Sequence, residues 1–168
     1  MAKTINGLII VESPSKAKTL KKFLGDKYSI LASVGHIRDL PKSDLGIDPE
    51  NKFKTKYVQT ISKENLKKLK SALSSASTLY LATDPDREGE AIAWHLVELL
   101  KPTIPIKRLV FHEITKDAIL DSFNHTRDID QDLVNAQETR RVIDRLLGYP
   151  VSNKIWTNVS RGLSAGRV

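Results

Sequence analysis

The hydrophobic positions of the chain follow two alternating rhythms. Short apolar runs at residues 5–12, 28–34, 78–83 and 108–111 read as strands. Between them lie stretches whose apolar residues recur every three or four positions, as on one face of a helix. The run 5–12 is almost continuously apolar, the pattern of a strand covered on both faces. It ends at Ser13-Pro14, a capping residue followed by proline at the first helical position. The helix so begun places Ala17, Leu20, Phe23 and Leu24 on one side before Gly25 stops it. Further helices are predicted at 63–74, with Leu66, Leu69 and Leu73 inward and the lysines solvated, at 88–100, and from a Thr115 cap to about residue 123. A longer one covers 131–147, capped by Asp130 and stopped by Gly148. Residues 35–55 are polar and punctuated by Gly and Pro, and 57–60 reads as a short extra strand.

Strands alternating with helices predict an α/β fold with a mostly parallel four-stranded sheet flanked by helices. The polar stretch 124–130 reads as a linker, giving a first domain at 1–127 and the start of a second at 128–168. Residues 161–168 have no core-facing period and no closing element, as expected of a chain cut from a longer one. Cysteine is absent, which excludes disulfides, zinc ribbons, iron–sulfur clusters and a thiol nucleophile from this stretch. The N-terminal apolar run is broken by Glu12 and is too short for a signal or a membrane span.

Charge changes the picture through its distribution. The 168 residues carry 27 Lys and Arg against 20 Asp and Glu, a net +7 that suits a polyanionic partner. Within that basic frame, Asp84-Pro-Asp86-Arg-Glu88-Gly-Glu90 sets four carboxylates against one arginine. The knot follows a predicted strand and opens a helix, the rim of a parallel sheet where ligands bind. Pro85 keeps Asp84 out of helical geometry. Carboxylates at this spacing repel one another unless a cation joins them, and an all-oxygen donor set favours Mg²⁺. An EF-hand is excluded because its twelfth position is His95 where a bidentate Glu is needed. The competing reading is a solvated acidic turn, with Glu88 and Glu90 favoured by the helix dipole.

Glu12, at the end of the first strand, shares that rim if the strands are neighbours. Crowded by carboxylates, it would hold a proton for a leaving group, or it merely marks the strand end. Lys16 falls in a helical first turn, where a cation is disfavoured, so either an anion such as phosphate compensates it or it is solvated. His36 and Arg38 follow the second strand and suit phosphate contacts, though such loop pairs are commonly plain polar surface. His112 ends the fourth strand similarly. His95 has apolar neighbours and reads as a core histidine, and His125 as a solvated one. On the last helix, Arg141 and Arg145 are like charges four apart, which calls for an anion between them. Arg140 and Asp144 form either a surface pair or, as expected here, part of a strip facing phosphate.

Together these stretches resemble a known family. Val11-Glu12-Ser-Pro-Ser-Lys16, Gly35-His-Ile-Arg-Asp-Leu-Pro41, Thr83-Asp-Pro-Asp-Arg-Glu-Gly-Glu90-Ala-Ile-Ala-Trp-His95, Phe111-His-Glu-Ile-Thr115, Arg140-Arg…Asp144-Arg…Gly148-Tyr149 and Gly162-Leu-Ser-Ala-Gly-Arg-Val168 closely resemble the bacterial type IA DNA topoisomerases. The resemblance implies a Rossmann-like TOPRIM domain followed by the start of a DNA-binding domain. It implies Glu12 as general acid, Lys16 on the scissile phosphate, and Asp84, Asp86 and Glu88, with Glu12, as the Mg²⁺ site. It places His36, Arg38, His112, Arg140, Arg141, Asp144, Arg145, Ser164 and Arg167 around single-stranded or underwound DNA. The implied reaction is ATP-independent: a tyrosine cuts one strand through a 5′-phosphotyrosine, a strand passes, and the break is resealed. That tyrosine is expected beyond residue 168, so this chain alone is expected to be inactive. A monomeric, cytoplasmic, nucleoid-associated enzyme is implied. Topoisomerase III, reverse gyrase or a TOPRIM nuclease are alternatives of related chemistry, an Asp-x-Asp phosphatase is an unrelated one, and a metal-free single-strand-binding module is the non-enzymatic reading.

Overall fold

The structure, a computed structural model, describes residues 6–160, the side chains of Tyr149 and Asn153 excepted. Its centre is β1 (Leu8–Val11), four residues buried on both faces. Leu8 and Ile10 point into one apolar cluster and Ile9 and Val11 into another, as the two-residue period of a strand requires. β1 pairs in parallel with β2 (Ser29–Ala32) on one side and β7 (Leu79–Leu81) on the other, and β7 with β8 (Ile106–Arg108), giving the order β2-β1-β7-β8. α1 (Pro14–Leu24) and α4 (Lys116–Ser122) contribute Leu20, Leu24 and Ile119 to the Ile9 side. α2 (Lys63–Ser74) and α3 (Arg87–Leu100) contribute Leu69, Ile92 and Leu96 to the Leu8 side. The chain leaves β1 toward β2 and later returns to β7 on the other flank. The carboxyl ends of β1 and β7 therefore flank a switch point, the crevice where open α/β sheets bind ligands.

The helix starts obey the capping chemistry in the sequence. Ser13, Ser62, Asp86 and Thr115 each accept the backbone N–H three residues on, and Asp130 accepts from Asp132 and Leu133. The polar stretch predicted as irregular contains small antiparallel ladders: β3 (Arg38–Asp39) with β6 (Val58–Gln59), inside the extra strand expected at 57–60, and β4 (Ile47–Asp48) with β5 (Lys54–Thr55).

Two boundaries differ from expectation. The fourth strand lies at Ile106–Arg108 and not at 108–111; Leu109 and Phe111 are apolar because they cover the Ile9 cluster beyond the ladder. The last helix, α5, runs Gln131–Asn158 straight through Gly148 and Pro150. A glycine stops a helix by turning left-handed, as Gly25 does at φ 64°, and Gly148 is not among the described glycines with positive φ. Pro150 cannot donate to the Leu146 carbonyl, one lost bond that a long helix can carry.

Candidate active site

Glu12 is the first residue past β1 and Asp84 the third past β7, so neighbouring parallel strands bring the two acids to one rim. Lys16 joins them. Its Nζ lies 3.1 Å from Glu12 Oε1 and 2.9 Å from Asp84 Oδ1, and 5.0 Å from the centre of the Phe111 ring. The anions that make a cation tolerable in the first turn of α1 are therefore carboxylates of the chain itself, and neither solvent nor an external phosphate is needed. Lys16 is buried, which strengthens both contacts.

Each remaining acid of the knot also has its own partner. Asp86 caps α3, accepting the Gly89 N–H at 2.7 Å. Glu88 reaches His36, Oε1 to Nε2 3.2 Å, with both side chains more than half exposed. Glu90 is wholly buried against Arg108 and Arg127. Neither arginine drew notice in the sequence, because nothing local marks Arg108 as the partner of an acid 18 positions earlier.

A cavity of about 400 Å³ is lined by all four candidate ligands, Glu12, Asp84, Asp86 and Glu88. Its donors are hard oxygens, and Glu12 and Asp84 already hold an ammonium between them, so the rim suits a hard cation. Among the described residues no three His, Asp or Glu side chains converge as a ready-made cage. An ion here would take further oxygens from water or phosphate, as Mg²⁺ commonly does.

The loop carrying His36 is aimed by its backbone. Ser33 N–H donates to the Val11 carbonyl (2.8 Å) and Gly35 N–H to that of Glu12 (3.1 Å), while Val34 and Gly35 turn left-handed at φ 61° and 80°. Such a conformation is a true outlier for a β-branched residue.

A second cavity, about 530 Å³, shares His36, Asp86 and Glu88 with the first and extends to α5. Arg38 enters it stacked over Tyr57 (5.2 Å) and Trp94 (5.6 Å). Arg141 clasps Asp39, Nε to Oδ1 3.0 Å and Nη2 to Oδ1 2.6 Å, and Arg145 donates to the Pro41 carbonyl at 3.0 Å. An internal anion thus meets Arg141, while Arg145 is met by a main-chain carbonyl. Burial opposes ionisation of Asp39, yet Arg141 and the Leu40 N–H together hold its carboxyl below the usual range. Arg140 lies 3.8 Å from Asp144, the surface-pair geometry. Asp144 and Arg145 line a third cavity, about 320 Å³, with Lys42.

His95 is a core histidine, packed 4.6 Å from the Tyr57 ring. Its Nδ1 is without a hydrogen-bond partner among the described residues. Burial, with help from the Arg38 and His36 charges, pushes its pKa down to about 4. His125 is exposed beside Asp121, and exposed His112 lines none of these cavities. Tyr28 and Tyr80 pack on Phe123, and Tyr57 donates to Glu138 at 3.1 Å. Ser164, Arg167 and the rest of 161–168 lie outside the described residues.

Residues 7–114 match the family described as Toprim domain. The chain is 55% identical to DNA topoisomerase 1 of Streptomyces coelicolor over 175 aligned positions, covering 96% of this chain and 18% of that protein. Its fold superposes on the full-length topoisomerase I of Thermotoga maritima with a TM-score of 0.84 at 43% identity, covering 95% of this chain and 27% of the other. The chain thus spans about a fifth to a quarter of the length of these relatives.

Proposed function

The chain belongs to the Toprim family, and from that premise we propose that it supplies the acidic, cation-binding half of a type IA DNA topoisomerase active site. The observation that carries this reading is the convergence of Glu12, Lys16 and Asp84 at the switch point, in one cavity with Asp86 and Glu88. Residues 1–127 form the Toprim unit and 128–168 begin a DNA-binding unit.

Asp84, Asp86 and Glu88, with Glu12, would hold Mg²⁺, which when bound neutralises charge on the DNA phosphate. In the parent enzyme a tyrosine oxygen, from outside this chain, would attack the phosphorus of one strand, its hydroxyl proton passing to solvent. The bond to the 3′-oxygen breaks, and Glu12 delivers the proton that the leaving oxygen takes up. Lys16 sits beside Glu12, where its ammonium can meet the scissile phosphate. The same residues in reverse return the proton to Glu12 as the strand is resealed. His36, Arg38, Arg140, Arg141 and Arg145 border the neighbouring cavities and provide the basic wall along which single-stranded DNA lies. Action on DNA places the protein in the cytoplasm with the nucleoid.

Calorimetry tests the reading. The wild-type chain, with a single-stranded oligonucleotide present, is expected to bind Mg²⁺, and Asp84→Ala/Asp86→Ala to lose that binding. Absence of specific Mg²⁺ binding by the wild type would favour a metal-free grip on single strands, in which Lys16 permanently occupies the acids. Covalent protein–DNA adducts formed by the chain alone would overturn the assignment of the nucleophile to a tyrosine outside it.

A further inference from the structure

Glu90 is the one acid of the knot that does not reach the rim. It is completely buried, and both of its oxygens are occupied. Oε2 accepts from Arg108 Nε and Arg127 Nη2, each at 3.0 Å. Oε1 accepts from Arg127 Nη1 at 3.0 Å and from the backbone N–H of Asp130 at 2.8 Å. Arg108, equally buried, directs its other N–H groups at main-chain carbonyls: Leu81 (2.9 Å), Thr83 (2.8 Å), Leu109 (2.9 Å) and Asp84 (2.7 Å). One guanidinium therefore gathers the end of β7, the residue after β8 and the backbone of Asp84. One carboxylate then fastens that guanidinium to Asp130, the cap of α5, the helix that bears Arg140, Arg141 and Arg145.

Stability alone is a poor account of such a cluster. Removing charges from water costs several kcal/mol each, and well-packed apolar side chains of the same volume often stabilise a fold as well or better. What apolar side chains cannot do is hold four carbonyls and a helix start in fixed directions, because only hydrogen bonds are directional. The cluster also sits where direction matters, immediately behind Asp84.

We propose that Glu90 is a positioning residue that ties the Asp84 turn, through Arg108, to the start of α5, through Arg127 and Asp130, so that the acidic rim and the basic helix keep one registration. The proposal rests on the reading of Asp84 as a cation ligand and adds how its geometry is set.

Glu90→Gln would strand Arg108 in the core, so the test uses Arg127, whose side chain is 35% exposed. Arg127→Gln removes two bonds to Glu90 and leaves the Glu90–Arg108 pair. The 168-residue chain, with a single-stranded oligonucleotide present, is titrated with MgCl₂ while backbone amide resonances of residues 84–90 are followed. Partners behind a metal ligand typically change affinity by tens of fold, so Arg127→Gln is expected to weaken Mg²⁺ binding about tenfold, with Arg127→Lys recovering part of the loss. The thermal midpoint, read on the same samples, is expected to move only a few degrees. Wild-type affinity in both variants would overturn the proposal. Wild-type protein whose 84–90 amides ignore Mg²⁺ would overturn the functional reading, and the positioning role with it.

Discussion

Gly89 offers a test in which two effects of opposite sign compete. It is the third residue of α3, and helix propensity alone makes Gly→Ala there stabilising by about 1 kcal/mol. A Cβ at this position, however, would lie 2.1 Å from the Asp84 carbonyl oxygen and 2.8 Å from the Asp84 backbone C and N. Carbon contacts are comfortable only near 3.5 Å, so backbone must retreat by roughly 1 Å. That backbone is poorly able to retreat. The Asp84 carbonyl accepts from Arg108 at 2.7 Å, and Thr83 Oγ1 donates to the Gly89 carbonyl at 2.6 Å. Overpacking typically costs about 1–3 kcal/mol, to which weakening of a charged hydrogen bond in the core adds about 1–2 kcal/mol. The clash wins. Gly89→Ala is expected to be destabilised by about 2–3 kcal/mol, lowering the thermal midpoint by roughly 5–10 °C. Because the strain falls on Asp84, Mg²⁺ affinity is expected to drop by about tenfold or more. Urea unfolding, and a Mg²⁺ titration of the variant with a single-stranded oligonucleotide present, check both numbers. A Gly89→Ala protein as stable as wild type, or more so, would refute the reasoning, because propensity would then have won and the turn would be pliant.

Two further outcomes follow from the ionisable groups. His95 is neutral when folded down to about pH 4 but protonates near pH 6.5 when unfolded. The unfolded state therefore takes up the extra proton, and stability from this group, complete above pH 6.5, falls by about 3 kcal/mol as pH drops to 4; His95→Leu is expected to lose that slope in urea midpoints measured across the window, and an unchanged slope would exclude His95 as its source. The Asp39–Arg141 pair depends on pH with the same sign: a carboxyl held below its ordinary value contributes stability at neutral pH that disappears as acid protonates it. A double-mutant cycle with Asp39→Asn and Arg141→Gln is expected to show a coupling of about 1 kcal/mol, discounted for partial exposure, that vanishes at low pH.

Much of the scaffold was legible because its determinants are local. Ser13-Pro14, Thr115 and Asp130 announce helix starts within four residues, and α2 spans residues 63–74 as its leucine period predicts. Glu12 and the Asp84 knot could be placed on one rim because parallel α/β sheets put ligand residues at strand ends. What stayed hidden depends on distance along the chain. Arg108 reads as an ordinary strand-end cation until Glu90 is seen behind it, and Asp39 as loop surface until α5 brings Arg141 back across 102 residues. Tyr57 meets Glu138 across 81. Gly148 misled for a different reason: its identity permits a helix stop, but only a left-handed backbone makes one.

The ammonium of Lys16 between Glu12 and Asp84 has a consequence for assembly. Some small metalloproteins cannot fold until the ion arrives, because their ligands repel one another without it. Here the repulsion is already quenched by a tethered counter-charge, so folding and cation loading are separable events. The chain is expected to reach its native shape in a magnesium-depleted solution, and on the proposed function a divalent ion would enter by exchange with that resident charge. On that reading, loading would report on the nucleic acid that draws Lys16 away, and occupancy of the rim would be a sign of engagement with the strand.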